Sequence, residues 1–132
     1  MENNIYADNR YQQARQRLSR LISALEQGDI ESFGAITESE ALTLHALMMT
    51  SNPPYLLIEP HTIEAIKKVQ AFRQSEKVPL YFTLDAGPNL HLLYPASVKD
   101  IVLSFIETEL AALCENGKYI KDQVGLGPVE LL

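Results

Sequence analysis

An aspartate and an asparagine four residues apart, with a glycine and a proline between them, mark Leu84-Asp85-Ala86-Gly87-Pro88-Asn89 as the segment best equipped for chemistry. Asp85 and Asn89 offer an acceptor and an amide at the two ends of the loop. Gly87 permits backbone angles closed to other residues and lets a ligand approach the main chain, while Pro88 stiffens the turn. Polar atoms on a loop held by rigid elements are where sites usually lie. The same features also describe an ordinary hairpin loop, and by themselves they favour that plainer reading.

Other reactive groups are scattered. His45 sits among Ala41, Leu42, Met48 and Met49, which fits a satisfied structural histidine and leaves open a substrate-side or interdomain role. His61 and His91 are singletons, and alternation with Leu90 and Leu92 puts His91 on the other face of its strand. The single cysteine, Cys114, ends an apolar helical stripe and reads as packing. It cannot form an internal disulfide, which agrees with a reducing compartment. No spacing of His, Cys or carboxylate residues compels a metal site, and none is expected.

The elements that must position these groups follow from periodicity. Tyr11, Ala14, Leu18, Leu21, Ile22 and Leu25 recur at helical spacing from Asp8 to Gln27, and Gly28 ends that helix. Asp29 begins a second, with Ile30, Phe33, Ile36, Ala41, Leu44, Leu47 and Met48 apolar, until Asn52-Pro53-Pro54 stops it. One glycine between two helices predicts an antiparallel pair. A short extended piece, Tyr55 to Ile58, and the Glu59-Pro60 step lead to a third helix near Thr62 to Ser75.

Val78 to Leu84 and Leu90 to Tyr94 are rich in β-formers and flank the five-residue Asp85 loop, so they predict a hairpin with Pro79 at the start of its first strand. Ser97 and Asp100 resemble a capping box opening a fourth helix. Its apolar positions are Val98, Ile101, Val102, Phe105, Leu110 and Leu113, and Asn116-Gly117 ends it. Val124 to Leu132 reads as a short edge strand. Four helices and three or four strands in mixed order predict an α+β fold, with helices on one face of a largely antiparallel sheet, in a single domain spanning 1–132.

Composition narrows the function classes. The chain of 132 residues is 46% hydrophobic with only 6 Gly and 7 Pro, so it should fold and is neither a linker array nor disordered. No apolar run approaches the roughly 20 residues needed to cross a bilayer, and the first 25 residues lack a signal-peptide pattern. A soluble, cytoplasmic protein without membrane partners is expected. Seventeen acidic against 11 basic side chains give a net charge of -6, the wrong sign for a nucleic-acid backbone. Arg10, Arg15, Arg17 and Arg20 cluster on the first helix, interleaved with Gln12, Gln13, Gln16 and Ser19, and read as a solvated face; no nucleic-acid partner is expected.

Three segments add a resemblance. Tyr81-Phe82-Thr83-Leu84-Asp85-Ala86-Gly87-Pro88-Asn89 is similar to the signature of diphosphomevalonate decarboxylases. Glu38 to Met48 resembles the helix that this family carries ahead of a Pro-Pro step, here Pro53-Pro54, and Val124 to Pro128 looks like the family's C-terminal end. The likeness extends from about Asp8 to Leu132. The family belongs to the superfamily of galactokinase, homoserine kinase, mevalonate kinase and phosphomevalonate kinase, whose members combine an N-terminal nucleotide-binding part with a C-terminal part.

The resemblance implies that this chain is the C-terminal part, with the N-terminal half absent and acting as its partner. In the family, ATP phosphorylates the tertiary hydroxyl of mevalonate diphosphate, and loss of phosphate and carbon dioxide gives isopentenyl diphosphate. It further implies that Asp85 is catalytic, that Ala86 and Gly87 line the substrate through their backbone, and that Asn89 and His45 are possible supports. ATP and Mg²⁺ are expected in the complete enzyme, and neither on this chain alone. A homodimer is possible. Nothing here matches the family's Pro-x-x-x-Gly-Leu-Gly-Ser-Ser-Ala phosphate loop, and Gly125-Leu126-Gly127 lacks a following helix N-terminus. Two rivals remain, a non-catalytic dimerisation or partner-binding module of the same fold and a related mevalonate or phosphomevalonate kinase.

Overall fold

The computed structural model describes residues 7–124. Helix α1 spans Ala7–Gln27 and α2 spans Ile30–Met49, joined through Gly28, whose φ of 68° is the left-handed geometry that glycine adopts without penalty. Asp29 caps α2, its carboxylate accepting from the Ser32 N–H at 3.1 Å. Helix α3, Pro60–Glu76, starts with proline in its first turn, where no amide is lost. It ends at Lys77, which turns left-handed and donates its N–H to the Arg73 carbonyl.

Strands β1, Tyr81–Leu84, and β2, Leu90–Leu93, form the expected antiparallel hairpin, with Leu84 opposite Leu90 and Tyr81 opposite Leu93. Pro79 lies two residues ahead of β1. Among the described residues the sheet has two strands. Tyr55 to Ile58 joins no ladder, and the tail expected as an edge strand lies, from residue 125 on, outside the described residues. The α+β architecture stands.

The fourth helix is not continuous. Ala96–Val98 form a 3-10 turn, α4 covers only Lys99–Phe105, Ile106–Leu110 form a π turn, and Ala111–Leu113 and Glu115–Gly117 return to 3-10 geometry. Ser97 makes no capping bond; Val98 stands at the N-cap position of α4. The five-residue step from Phe105 to Leu110 exceeds one α turn, and the wider π turn lets both, with Ile106, reach the interior. Ile101, expected on the buried face, is exposed.

The core lies between α2, α3, β1 and α4, with Val69, Leu80, Phe82 and Val102 fully enclosed. Phe72 and Phe105 stack with ring centroids 4.1 Å apart. Tyr81 packs against α2 at Gly34, and a Cβ at that position would collide with the Tyr81 ring. In an open helix, Gly→Ala stabilises by about 1 kcal/mol. Here overpacking reverses the sign: Gly34→Ala is expected to destabilise by about 1–3 kcal/mol in urea unfolding. A gain in stability would show that the Tyr81 ring is not held there.

Helix α1 corrects one expectation. Arg10 and Arg17 do not face water; they turn toward the polar flank of α2. Arg17 donates to Ser39 Oγ at 2.8 Å, Thr43 Oγ1 at 2.9 Å and Glu40 Oε2 at 3.2 Å, and Arg10 pairs with Glu40. The apolar residues Tyr11, Leu18, Ile22 and Leu25 lie exposed. A helix docked on Ser39, Glu40 and Thr43 presents guanidinium groups to them, which leaves Leu18 and Leu25 exposed while Leu21 is half-buried and Ala24 buried. Arg15 and Arg20 are exposed as expected.

Candidate active site

Loop Asp85–Asn89 leaves the hairpin where the ladder ends at Leu84 and Leu90. The Asp85 carboxylate is partly exposed and bound by its own loop. Gly87 N–H donates to Oδ1 at 2.8 Å, and the Asn89 amide donates to Oδ2 at 3.3 Å. His91 Nε2 lies 3.9 Å from Oδ2. The Gly87 N–H chiefly, helped by Asn89 and His91, holds the Asp85 carboxyl below its ordinary value. Asp85 is therefore ionised throughout the neutral range.

The other sequence candidates gather around it. Ala86 is exposed and Gly87 half-buried. Gly87 does not have a positive φ, and a Cβ there would meet only Asp85 Oδ1 at 3.4 Å. The backbone freedom that glycine permits is thus not used at position 87; its contribution is a bare main chain and an N–H that donates to Asp85. Asn89 sits beside Asp85 as a donor.

His45 lies beneath the loop, 2% exposed, and its Nε2 is 2.8 Å from the Asp85 carbonyl. A carbonyl only accepts, so Nε2 carries the proton. His45 is thus a buried histidine that touches the loop's backbone. Sequence reasoning missed Thr62, in the first turn of α3, 1% exposed and donating to the Pro88 carbonyl at 2.7 Å. It also missed Glu38, whose carboxylate receives both Arg73 Nη groups, at 2.5 and 3.0 Å, and the Phe82 N–H at 3.2 Å. A threonine and a glutamate within helices carry no signal of their own in a single sequence. His91 is exposed, and Cys114 is half-buried, its thiol directed at the Leu110 carbonyl.

Three of the four described α-helices carry acid at their starts, Asp8 on α1, Asp29 and Glu31 on α2 and Asp100 on α4, whereas α3 has none in its first turn and only Glu59 at its N-cap. The acidic starts repel phosphate, where an anion site would leave the N–H groups open. No three His, Cys, Asp or Glu side chains gather into a metal-binding group among the described residues. No described helix is long and apolar enough to cross a membrane.

Residues 4–127 match the mevalonate 5-diphosphate decarboxylase C-terminal domain family. The diphosphomevalonate decarboxylase of Candida albicans is 28% identical over 131 residues, covering 87% of this chain and 35% of that protein. The mevalonate diphosphate decarboxylase structure from Legionella pneumophila is 28% identical with a TM-score of 0.77, over 83% of this chain and 35% of that one. A structure of MDDEF in complex with MVAPP, AMPPCP and magnesium is 25% identical with a TM-score of 0.77, over 82% and 33%. The chain thus spans about a third of the length of these relatives. It belongs to the family of mevalonate 5-diphosphate decarboxylase C-terminal domains.

Proposed function

We propose that this chain is a single-domain part of an ATP-dependent diphosphomevalonate decarboxylase, with Asp85 as the residue that meets the substrate's tertiary hydroxyl. The observation that carries this reading is the Asp85 carboxylate itself, ionised and partly exposed on a loop anchored from two helices, within the segment that resembles the family signature. Membership in the decarboxylase family supports the reaction class. A relative bound to MVAPP, an ATP analogue and magnesium supports the substrate and the co-reactants.

The mechanism follows from what Asp85 can do. A carboxylate with a pKa at or below about 3.9 is a weak base toward a tertiary alcohol. Phosphoryl transfer often has a loose transition state, so the hydroxyl need not be deprotonated early. Asp85 accepts a hydrogen bond from the hydroxyl, aims its oxygen at the phosphoryl group, and takes the proton as the new O–P bond forms and the bond from that phosphorus to the ADP oxygen breaks, with ADP leaving. Ala86 and Gly87 offer main-chain groups to the substrate, and Asn89 steadies the carboxylate. Phosphate and carbon dioxide then depart from the phosphorylated product.

ATP and Mg²⁺ need a second part, corresponding to the remaining two thirds of the relatives, because this domain, at a net charge of -6, cannot neutralise the phosphates by itself. That part is its principal partner; the assembly is cytoplasmic, and a homodimer is compatible with it. The test is a coupled assay for ADP release with mevalonate diphosphate. The chain alone is expected to be silent, and the chain together with the nucleotide-binding part active. Turnover by the chain alone, or none from the pair, would overturn the reading.

A further inference from the structure

We propose that His45 and Thr62 are positioning residues, which fix the two ends of the Asp85 loop by hydrogen bonds to its backbone and so set the direction of the carboxylate toward the substrate's hydroxyl. This rests on the role given to Asp85 above and adds the parts of the fold that aim it.

Both side chains are almost wholly enclosed, at 2% and 1% exposure. A buried polar group costs stability unless it is bonded, and a threonine in a helix can often bond within its own helix. Thr37 of α2 does so, donating to the Phe33 carbonyl at 2.8 Å. His45 and Thr62 instead reach across to the loop, 40 and 26 positions away in sequence, from α2 and α3.

The acceptors they use explain the effect. The Asp85 carbonyl belongs to the peptide plane leading into Ala86, one residue past the end of the ladder. The Pro88 carbonyl belongs to the plane leading into Asn89. Between those fixed planes lies the Gly87 N–H that holds Oδ1, and attached to the second is the Asn89 side chain that holds Oδ2. Both donors that orient the carboxylate are thus bracketed by peptide planes bonded to buried side chains. With either bond gone, the plane turns and the donors turn with it. Two helices then set the aim of a group that neither of them carries.

Paired substitutions in the full 132-residue chain separate positioning from bulk packing. His45→Phe and Thr62→Val remove the donor and keep most of the volume, whereas His45→Gln and Thr62→Ser keep a donor. The readouts are carboxyl carbon NMR titration of Asp85, hydrogen exchange at the Gly87 amide, and thermal unfolding. In wild type the Asp85 midpoint should lie below the ordinary value near 3.9. In His45→Phe and Thr62→Val it should move up toward that value, with Gly87 exchanging about fivefold faster, the effect of one net hydrogen bond. His45→Gln and Thr62→Ser should restore both readings.

A merely structural role would lower the unfolding temperature and leave the Asp85 titration where it is, and that result would overturn the proposal. Should His45→Phe fail to fold, the near-isosteric Thr62→Val decides by the same two readouts. In the active two-part enzyme, Thr62→Val should lower kcat about tenfold with KM unchanged, and Thr62→Ser should recover it; equal kcat in both would also overturn the proposal. The titration needs no turnover, so an idle Asp85 would appear separately, as full activity in an Asp85 variant whose loop is intact.

Discussion

Asp85→Asn in the complete enzyme is expected to lower kcat by about 10²- to 10⁴-fold while KM for the substrate stays within about twofold. The amide oxygen of the new side chain can still accept from the Gly87 N–H, so the loop keeps the contact that shapes it. What is lost is the ability to take a proton and the negative charge facing the hydroxyl. The new amide nitrogen would meet the Asn89 donor, which at this exposed position can turn to water. Steady-state kinetics together with the Gly87 exchange rate check both halves. Turnover within about threefold of wild type, with the loop intact, would remove Asp85 from the chemistry.

The largest stability effect is expected at Glu38. Its carboxylate and the Arg73 guanidinium form a two-pronged pair, and the same carboxylate accepts the Phe82 N–H while Arg73 also donates to the Leu80 carbonyl at 2.8 Å. One glutamate thus ties α2 to α3 and to β1, the strand that leads into the Asp85 loop. Glu38 is nearly enclosed and Arg73 about a quarter exposed, so the penalty for stranding the partner is near the lower end for buried pairs. Glu38→Ala is expected to cost about 3 kcal/mol, a fall of roughly 10 °C in the unfolding midpoint. Glu38→Ala combined with Arg73→Met should cost less than the two single changes together, because no charge is left without a partner. A loss under about 1 kcal/mol for Glu38→Ala, measured by urea unfolding, would show that the pair does not support the strand.

Much of the frame was legible in the sequence because it rests on local chemistry. Gly28 and Asp29 marked the break between α1 and α2, the Glu59-Pro60 step the approach to α3, and the β-formers around Asp85 the hairpin. Helix orientation was harder. The leucines of α1 define an apolar face whatever that helix packs on, and only the tertiary position of Ser39, Glu40 and Thr43 turns Arg10 and Arg17 inward. The broken fourth helix left a trace in the five-residue step from Phe105 to Leu110, but a single step cannot distinguish a π turn from a lapse in periodicity.

The site shows the same division. Asp85 and its loop could be read from residue types, spacing and resemblance, whereas Thr62 and Glu38 matter through partners 26 and 35 positions away. His45 lay between these cases: its apolar neighbours showed burial, and only the fold reveals that its ring nitrogen meets the Asp85 carbonyl.

The two bonds that tether the loop end on carbonyl oxygens, atoms that every amino acid supplies. The tether is therefore blind to the identity of the residues it holds. Positions 86 and 87 can change their side chains without losing the anchorage, and even a proline, which has no amide hydrogen to offer, serves as a mooring point at 88. The domain thereby separates the address of its reactive loop, written into α2 and α3, from the content of that loop, which is free to drift or be redesigned around a fixed aspartate.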